Sequence, residues 1–127
     1  MRVLITGGAG FIGSNLAKEL QSTYPKVKIW VLDDFSSGHF KNLLGFKGEV
    51  ITADLSEPSL WEWLERNFHF DVIFHQGAIT DTTVMDQFKM LRVNADSLRF
   101  ILDAVLVWKA KLIYASSAGV YGTAHHP

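Results

Sequence analysis

Nine residues near the start, Thr6 to Ser14 (TGGAGFIGS), carry the clearest chemistry in this 127-residue sequence. Gly8, Gly10 and Gly13 satisfy G-x-G-x-x-G, and Gly7, Gly10 and Gly13 give the related G-x-x-G-x-x-G reading. Val3-Leu4-Ile5 ahead of them is apolar and partly β-branched, while Phe11, Ile12, Leu16 and Leu20 behind recur at helical spacing. The glycines therefore stand where a strand turns into a helix, the setting a phosphate-binding turn requires. The first pair would take positive φ in a tight turn, Gly10 would let backbone approach a pyrophosphate, and Gly13 would let the helix press on the strand. The helix start adds N–H groups and the positive end of its dipole.

Other residues of the right types follow at strand ends. Asp33 and Asp34 close the apolar run VKIWVL, where an acid can accept both hydroxyls of an adenine ribose. Asp54 and Leu55 follow EVIT; the acid suits an adenine edge or the cap of a turn. Gln76-Gly77-Ala78 leave the run DVIFH, with room for a flat or phosphorylated ligand against the backbone. His75 has no acid or nucleophile beside it in sequence and reads as a satisfied strand-end histidine rather than a base. Thr80 to Thr83 would hydrogen-bond a sugar or cap the next helix. Ser116-Ser117 end the run KLIYA. His125-His126 are two potential ligands without others, and no metal site is expected.

The elements needed to carry these residues alternate along the chain. Strands are expected at residues 2–6, 27–32, 49–52, 71–75 and 111–115. Helices are expected at about 11–23, from Ser56-Glu57-Pro58 to about Asn67, and from about Met85 to Trp108, with one helical turn around 40–44. Trp61 and Leu64 read as packing residues. The last helix would bury Phe88, Leu91, Leu98, Ile101, Leu102 and Val105, with Asn94 interrupting that face. Short joins between β and α elements imply one α/β domain with helices on both faces of a parallel sheet. Right-handed crossovers give the order 3-2-1-4-5, a Rossmann-type doubly wound sheet with a crevice between strands 1 and 4. The glycines, Asp33, Gln76–Ala78 and Ser116–Ser117 then meet at its carboxyl edge.

Composition fits a globular domain, 48% hydrophobic and 20% charged. A net charge of −1 gives no electrostatic case for nucleic acid or an anionic membrane. Without cysteine there is no disulfide framework or thiolate zinc site. The first strand leaves no room for a signal peptide, and no run reaches membrane-spanning length, so a cytoplasmic address is expected.

TGGAGFIGSNL, VLDDF, ADL and YASSAGVYG match in kind and spacing the N-terminal part of the extended short-chain dehydrogenase/reductase family. Within it, GHFKNLLGFKGEV and FHQGAITDTTV are similar to the ADP-L-glycero-D-manno-heptose 6-epimerases of lipopolysaccharide core synthesis; UDP-glucose 4-epimerases and nucleotide-sugar dehydratases share the frame. The resemblance implies a tightly held nicotinamide cofactor that takes a hydride from a sugar carbon and returns it to the other face. It implies that Phe11 and Ile12 lie at the pyrophosphate with the glycines, and Asp33 and Asp34 at the ribose. Gln76, Gly77, Ala78, Ile79 and Thr80 would line the nicotinamide side, with Asn94 near the cofactor. Ser117, four residues before Tyr121, matches the active-site hydroxyl. Heptose epimerases favour NADP, for which Lys41 is the nearest downstream cation, whereas Asp33 and Asp34 favour NAD. The substrate would be a nucleotide sugar, ADP-heptose, and the long helix would serve a homo-oligomer.

The family's base, a tyrosine in a Y-x-x-x-K pair beyond the YASSA strand, has no counterpart after Ala115. The chain thus resembles the N-terminal piece of a longer enzyme, expected to be inactive alone, because such a base contributes about 10²–10⁴ in rate. A non-catalytic dinucleotide sensor is the alternative.

Overall fold

The computed structural model describes residues 1–79, 86–117 and 122. Strands β1 (Arg2–Thr6), β2 (Lys28–Asp33), β3 (Glu49–Thr52), β4 (Val72–His75) and β5 (Lys111–Tyr114) form one parallel sheet in the order β3-β2-β1-β4-β5. This is the order expected from right-handed crossovers. Helix α1 (Phe11–Thr23) connects β1 to β2, and α2 (Pro58–Asn67) connects β3 to β4. Before β5 come α3 (Gln87–Leu91), a π turn (Arg92–Asp96) and α4 (Ser97–Trp108). A 3₁₀ turn (Phe40–Leu43) lies between β2 and β3.

Period-two alternation of the strands divides the core in two. Val3, Ile5, Ile29 and Val31 face α1 and pack with Ala9, Ala17 and Leu43. Leu4, Leu32 and Ile73 face α2 and α4, among Leu55, Leu60, Trp61, Leu64, Phe70, Ile101, Ala104 and Trp108. Trp61 and Leu64 are thus core residues, as their spacing implied.

Two helices differ from expectation. Ser56 does not cap α2: Glu57 is the N-cap residue, Pro58 opens the helix, and the Ser56 N–H and hydroxyl both donate to Asp54 Oδ1 (2.8 Å each). A competing side-chain acceptor two residues back captures the serine. The helix expected from Met85 is divided by the π turn, which shifts the phase of everything after it. Its buried residues are Ser97, Ile101, Ala104 and Trp108, whereas Phe88, Leu91 and Leu102 are exposed. Among the described residues no helix is long and apolar enough to cross a membrane.

Candidate functional site

The loop leaving β1 is locked by its neighbours on three sides. Gly7 N–H donates to the Leu32 carbonyl (2.8 Å) and Gly10 N–H to the Gly7 carbonyl (3.2 Å). Gly7 takes φ +65°, and a Cβ there would stand 2.6 Å from Gly77 Cα. Gly8 does not share the positive φ; its constraint is steric, since a Cβ would enter the Val31 side chain. A Cβ on Gly13 would lie 2.7 Å from Gly8 Cα, so the first turn of α1 presses directly on the loop. Gly10 is different. It is the extended N-cap residue, its nearest neighbour for a Cβ is the Gly7 carbonyl at 3.3 Å, and no side chain caps the helix. The first-turn N–H groups of Phe11, Ile12 and Gly13 have no intrahelical acceptor, which makes this end suited to an anion. The Phe11 and Ile12 side chains are exposed, so their backbones are what the site can use.

The loop after β2 is tied onto this turn. Asp33 is buried, and its two oxygens accept N–H groups from Ala9 (2.9 Å) and Phe35 (2.8 Å). Asp34 is exposed and its Oδ1 accepts the N–H and hydroxyl of Ser36 (2.9 and 2.7 Å). The Ala9 carbonyl in turn accepts from His39 N–H (3.1 Å) and Asn42 Nδ2 (2.8 Å). Gly38 is buried where a Cβ would meet Ala9 Cβ at 2.8 Å. Phe35, at φ +58°, stacks on Phe40 with centroids 3.8 Å apart. Lys41 is exposed in the 3₁₀ turn. Gly38 and Asn42 escaped the sequence reading. The Ser-Ser-Gly run hinted at the first, and nothing local marks the second.

Asp54 closes its own turn through Ser56, whose N–H and hydroxyl both reach Oδ1. Leu55 is buried beside the exit of β4, where a Cβ on Gly77 would come within 2.5 Å of its Cδ1. The Leu55 carbonyl is held by Trp61 Nε1 (2.9 Å).

A buried polar relay supports the other wall. Thr6 Oγ1 lies 2.7 Å from His75 Nδ1 and accepts Gly77 N–H at 3.2 Å. Gly77 N–H and the His75 ring thus meet on one buried threonine hydroxyl, which can both donate and accept. Burial lowers the His75 pKa from 6.5 to about 4, keeping the ring neutral. His75 is therefore a buried, hydrogen-bonded residue at the end of its strand, as its isolation in sequence implied. Gln76 N–H continues the strand pairing to the Thr6 carbonyl (3.1 Å). Ala78 is exposed, and Ile79 is held by the Asn94 side chain. Asn94 is half-buried rather than solvated.

Ser116 and Ser117 are exposed just beyond β5, next to the β4 exit through the bond from Ala115 N–H to the His75 carbonyl (3.2 Å). Thr80 and Tyr121 lie outside the described residues, as do His125 and His126. The Y-x-x-x-K spacing does occur once, as Tyr24 to Lys28. That pair spans the end of α1 and the start of β2, the opposite edge of the sheet from the glycine turn. Among the described residues no cluster of three or more His, Asp or Glu side chains could hold a metal.

The glycine turn, Asp33, Asp54-Leu55, Gln76–Ile79 and Ser116–Ser117 thus all leave the carboxyl edge of the one parallel sheet. The NAD dependent epimerase/dehydratase family model matches residues 3–127. The chain belongs to that family. It is 51% identical to the crystal structure of an ADP-L-glycero-D-manno-heptose-6-epimerase from Helicobacter pylori, with a TM-score of 0.91 over 99% of this chain and 42% of that one. A UDP-N-acetyl-alpha-D-glucosaminuronate decarboxylase from Bacillus cytotoxicus is 39% identical over 99% of this chain and 39% of its own length. An ADP-L-glycero-D-manno-heptose-6-epimerase from Brachyspira hyodysenteriae is 37% identical over 94% and 38%. The chain spans about two fifths of the length of these relatives.

Proposed function

We propose that this chain is the cofactor-holding part of a nucleotide-sugar epimerase acting on ADP-L-glycero-D-manno-heptose, with NADP as its dinucleotide. The observation that carries the reading is the cradle in which Gly7, Gly13 and Gly77 have no space for a Cβ, and in which a Cβ on Gly10 would meet only the Gly7 carbonyl oxygen, at 3.3 Å. That shape, with an uncapped helix start behind it, fits a pyrophosphate pressed against backbone. When bound, the cofactor supplies reversible uptake of hydride from a sugar carbon. The N–H groups of Phe11, Ile12 and Gly13 hold the pyrophosphate charge. Asp33, Asp34 and Lys41 flank the adenosine ribose, Asp54 and Leu55 the adenine, and Gln76 to Thr80 the nicotinamide half. Ser117 donates its hydroxyl to the reacting sugar oxygen, next to Ser116.

NADP is supported by the exposed Lys41 in the 3₁₀ turn after Asp33, whose two carboxylate oxygens each accept one backbone N–H group and keep a further lone pair for a ribose hydroxyl. The outer edge of the ribose corner falls to Ser36, Ser37 and Lys41, and the ammonium offers a counter-charge to a 2′-phosphate. NAD is the alternative, favoured by the paired acids. The heptose substrate is supported by the 51% identity to the H. pylori enzyme; UDP-sugar epimerase and dehydratase activities share the same frame. A cytoplasmic setting and homo-oligomers accompany this reading.

No Y-x-x-x-K pair follows the β5 strand in this sequence, so the chain alone holds cofactor without converting sugar. Incubating it with NADP and ADP-heptose while following the 6-epimer ratio by NMR tests this: a constant ratio is expected, and interconversion would overturn the assignment of the base to a segment beyond. A non-catalytic dinucleotide sensor is a second reading, favoured by the same missing pair.

A further inference from the structure

At the amino edge of the sheet, opposite the glycine turn, a hollow of about 730 Å³ opens where β2 begins. That size falls within the range of small-molecule pockets, about 300–1,000 Å³. It is lined by Ser22, Pro25 and Val27, from the end of α1 and its link to β2, and by Phe46 and Lys47, ahead of β3. The path of the second segment is fixed. The Gln21 side chain clamps it, with Nε2 donating to the Gly45 carbonyl (3.0 Å) and Oε1 accepting Lys47 N–H. Gly45 turns the chain at φ +85°, and a Cβ on Gly48 would collide with the Ile29 carbonyl and the Phe46 ring.

Successive residues of a strand turn their backbone groups to opposite neighbours. Lys28 N–H donates to the Met1 carbonyl (3.1 Å), so the Ile29 N–H faces the β3 side. Pairing with β3 begins only at Trp30, opposite Glu49. Among the described residues the Ile29 N–H accordingly has no backbone or side-chain acceptor, although Ile29 is buried and lines the hollow. Such a donor costs free energy until a group accepts from it. Lys28 and Lys47 line the same hollow against one acid, Glu49, and among the described residues neither lysine is in an ion pair. Pro25, Val27 and Phe46 add apolar surface beside them.

We propose that this hollow is a second binding site, for a small organic carboxylate with an apolar body. The carboxylate accepts the Ile29 N–H and is countered by the Lys28 and Lys47 ammonium groups, while the body packs on Phe46, Val27 and Pro25. The site does not depend on the dinucleotide reading. Strand β2 runs from Lys28 at the hollow to Asp33 at the carboxyl edge, about 17 Å of parallel strand.

The test follows backbone amide shifts of the isotope-labelled chain by NMR during titration with 2-naphthoate, and separately with 2-naphthylmethanol and with acetate. Saturable shifts are expected at Ile29, whose amide proton should move downfield, and at Ser22, Val27, Phe46 and Lys47. The alcohol lacks the charge and acetate lacks the apolar body, so each should bind at least about tenfold more weakly. The double variant Lys28→Gln, Lys47→Gln changes two exposed side chains. It should weaken 2-naphthoate about tenfold while its spectrum away from the hollow stays that of the unaltered chain. No saturable shift below about 10 mM would overturn the proposal, as would shifts centred on the glycine turn. Equal affinity for the alcohol would overturn the carboxylate assignment, and equal affinity for acetate the apolar body. Undiminished binding by the double variant would overturn the role of the lysines.

Discussion

Asp33 shows how a residue can be found by spacing yet have its geometry hidden. Its place at the end of β2 was legible, but its engagement by Ala9 and Phe35 depends on a loop that folds back over the glycine turn. Gly7 and Gly13 were legible because only glycine fits where two backbones meet. Thr6 was not, because a threonine ending a strand has no local signature of its bond to His75, 69 residues away. The same pair makes a prediction. The His75 pKa is lowered to about 4 in the folded chain, while the unfolded chain binds the proton near 6.5. Its contribution to stability is therefore complete above pH 6.5 and is lost as pH falls toward 4. Between pH 7 and 5 the loss should be about 2 kcal/mol. Urea midpoints at these two pH values should move apart less in His75→Gln, which keeps a hydrogen-bonding group but does not titrate. Identical pH dependence in both proteins would contradict the account.

At the scale of elements, the strands and α1 followed their patterns to within a residue or so, since alternation and helical spacing directly report the face that is buried. The helix after β4 did not. Apolar residues at 88, 91 and 102 fit one continuous α-helix, but the π turn breaks the phase, and no residue type announces such a turn. Asn94 looked like an interruption of an apolar face and instead pairs with the backbone of Ile79 from within the π turn. The end of α4 carries a separate strain. Lys109 takes the left-handed conformation at φ +52°, and the bond from Ala110 N–H to the Val105 carbonyl (3.0 Å) closes the helix. A side chain is disfavoured there by about 1 kcal/mol relative to glycine. Lys109→Gly should accordingly raise the thermal midpoint by a few degrees. A lowered midpoint would show that the lysine side chain contributes more than its backbone costs.

At the scale of the whole molecule, the two-sided core and the strand order followed from the alternation of elements, because short right-handed connections leave few alternatives. What the sequence could not convey is which apolar residues remain uncovered. Phe88, Leu91, Leu106 and Val107 are 60–75% exposed on α3 and α4, a surface of the kind that marks association. Sedimentation should show concentration-dependent self-association that weakens in Leu106→Lys; a clean monomer at high concentration would argue against it. If the strand exits hold a dinucleotide, calorimetric titration of the purified chain with NADP and then NAD will register it. Micromolar binding is expected, tighter for NADP, with its loss in Gly13→Val, where the side chain would enter the glycine turn. Absence of binding by a chain that unfolds cooperatively, or undiminished binding by Gly13→Val, would contradict it.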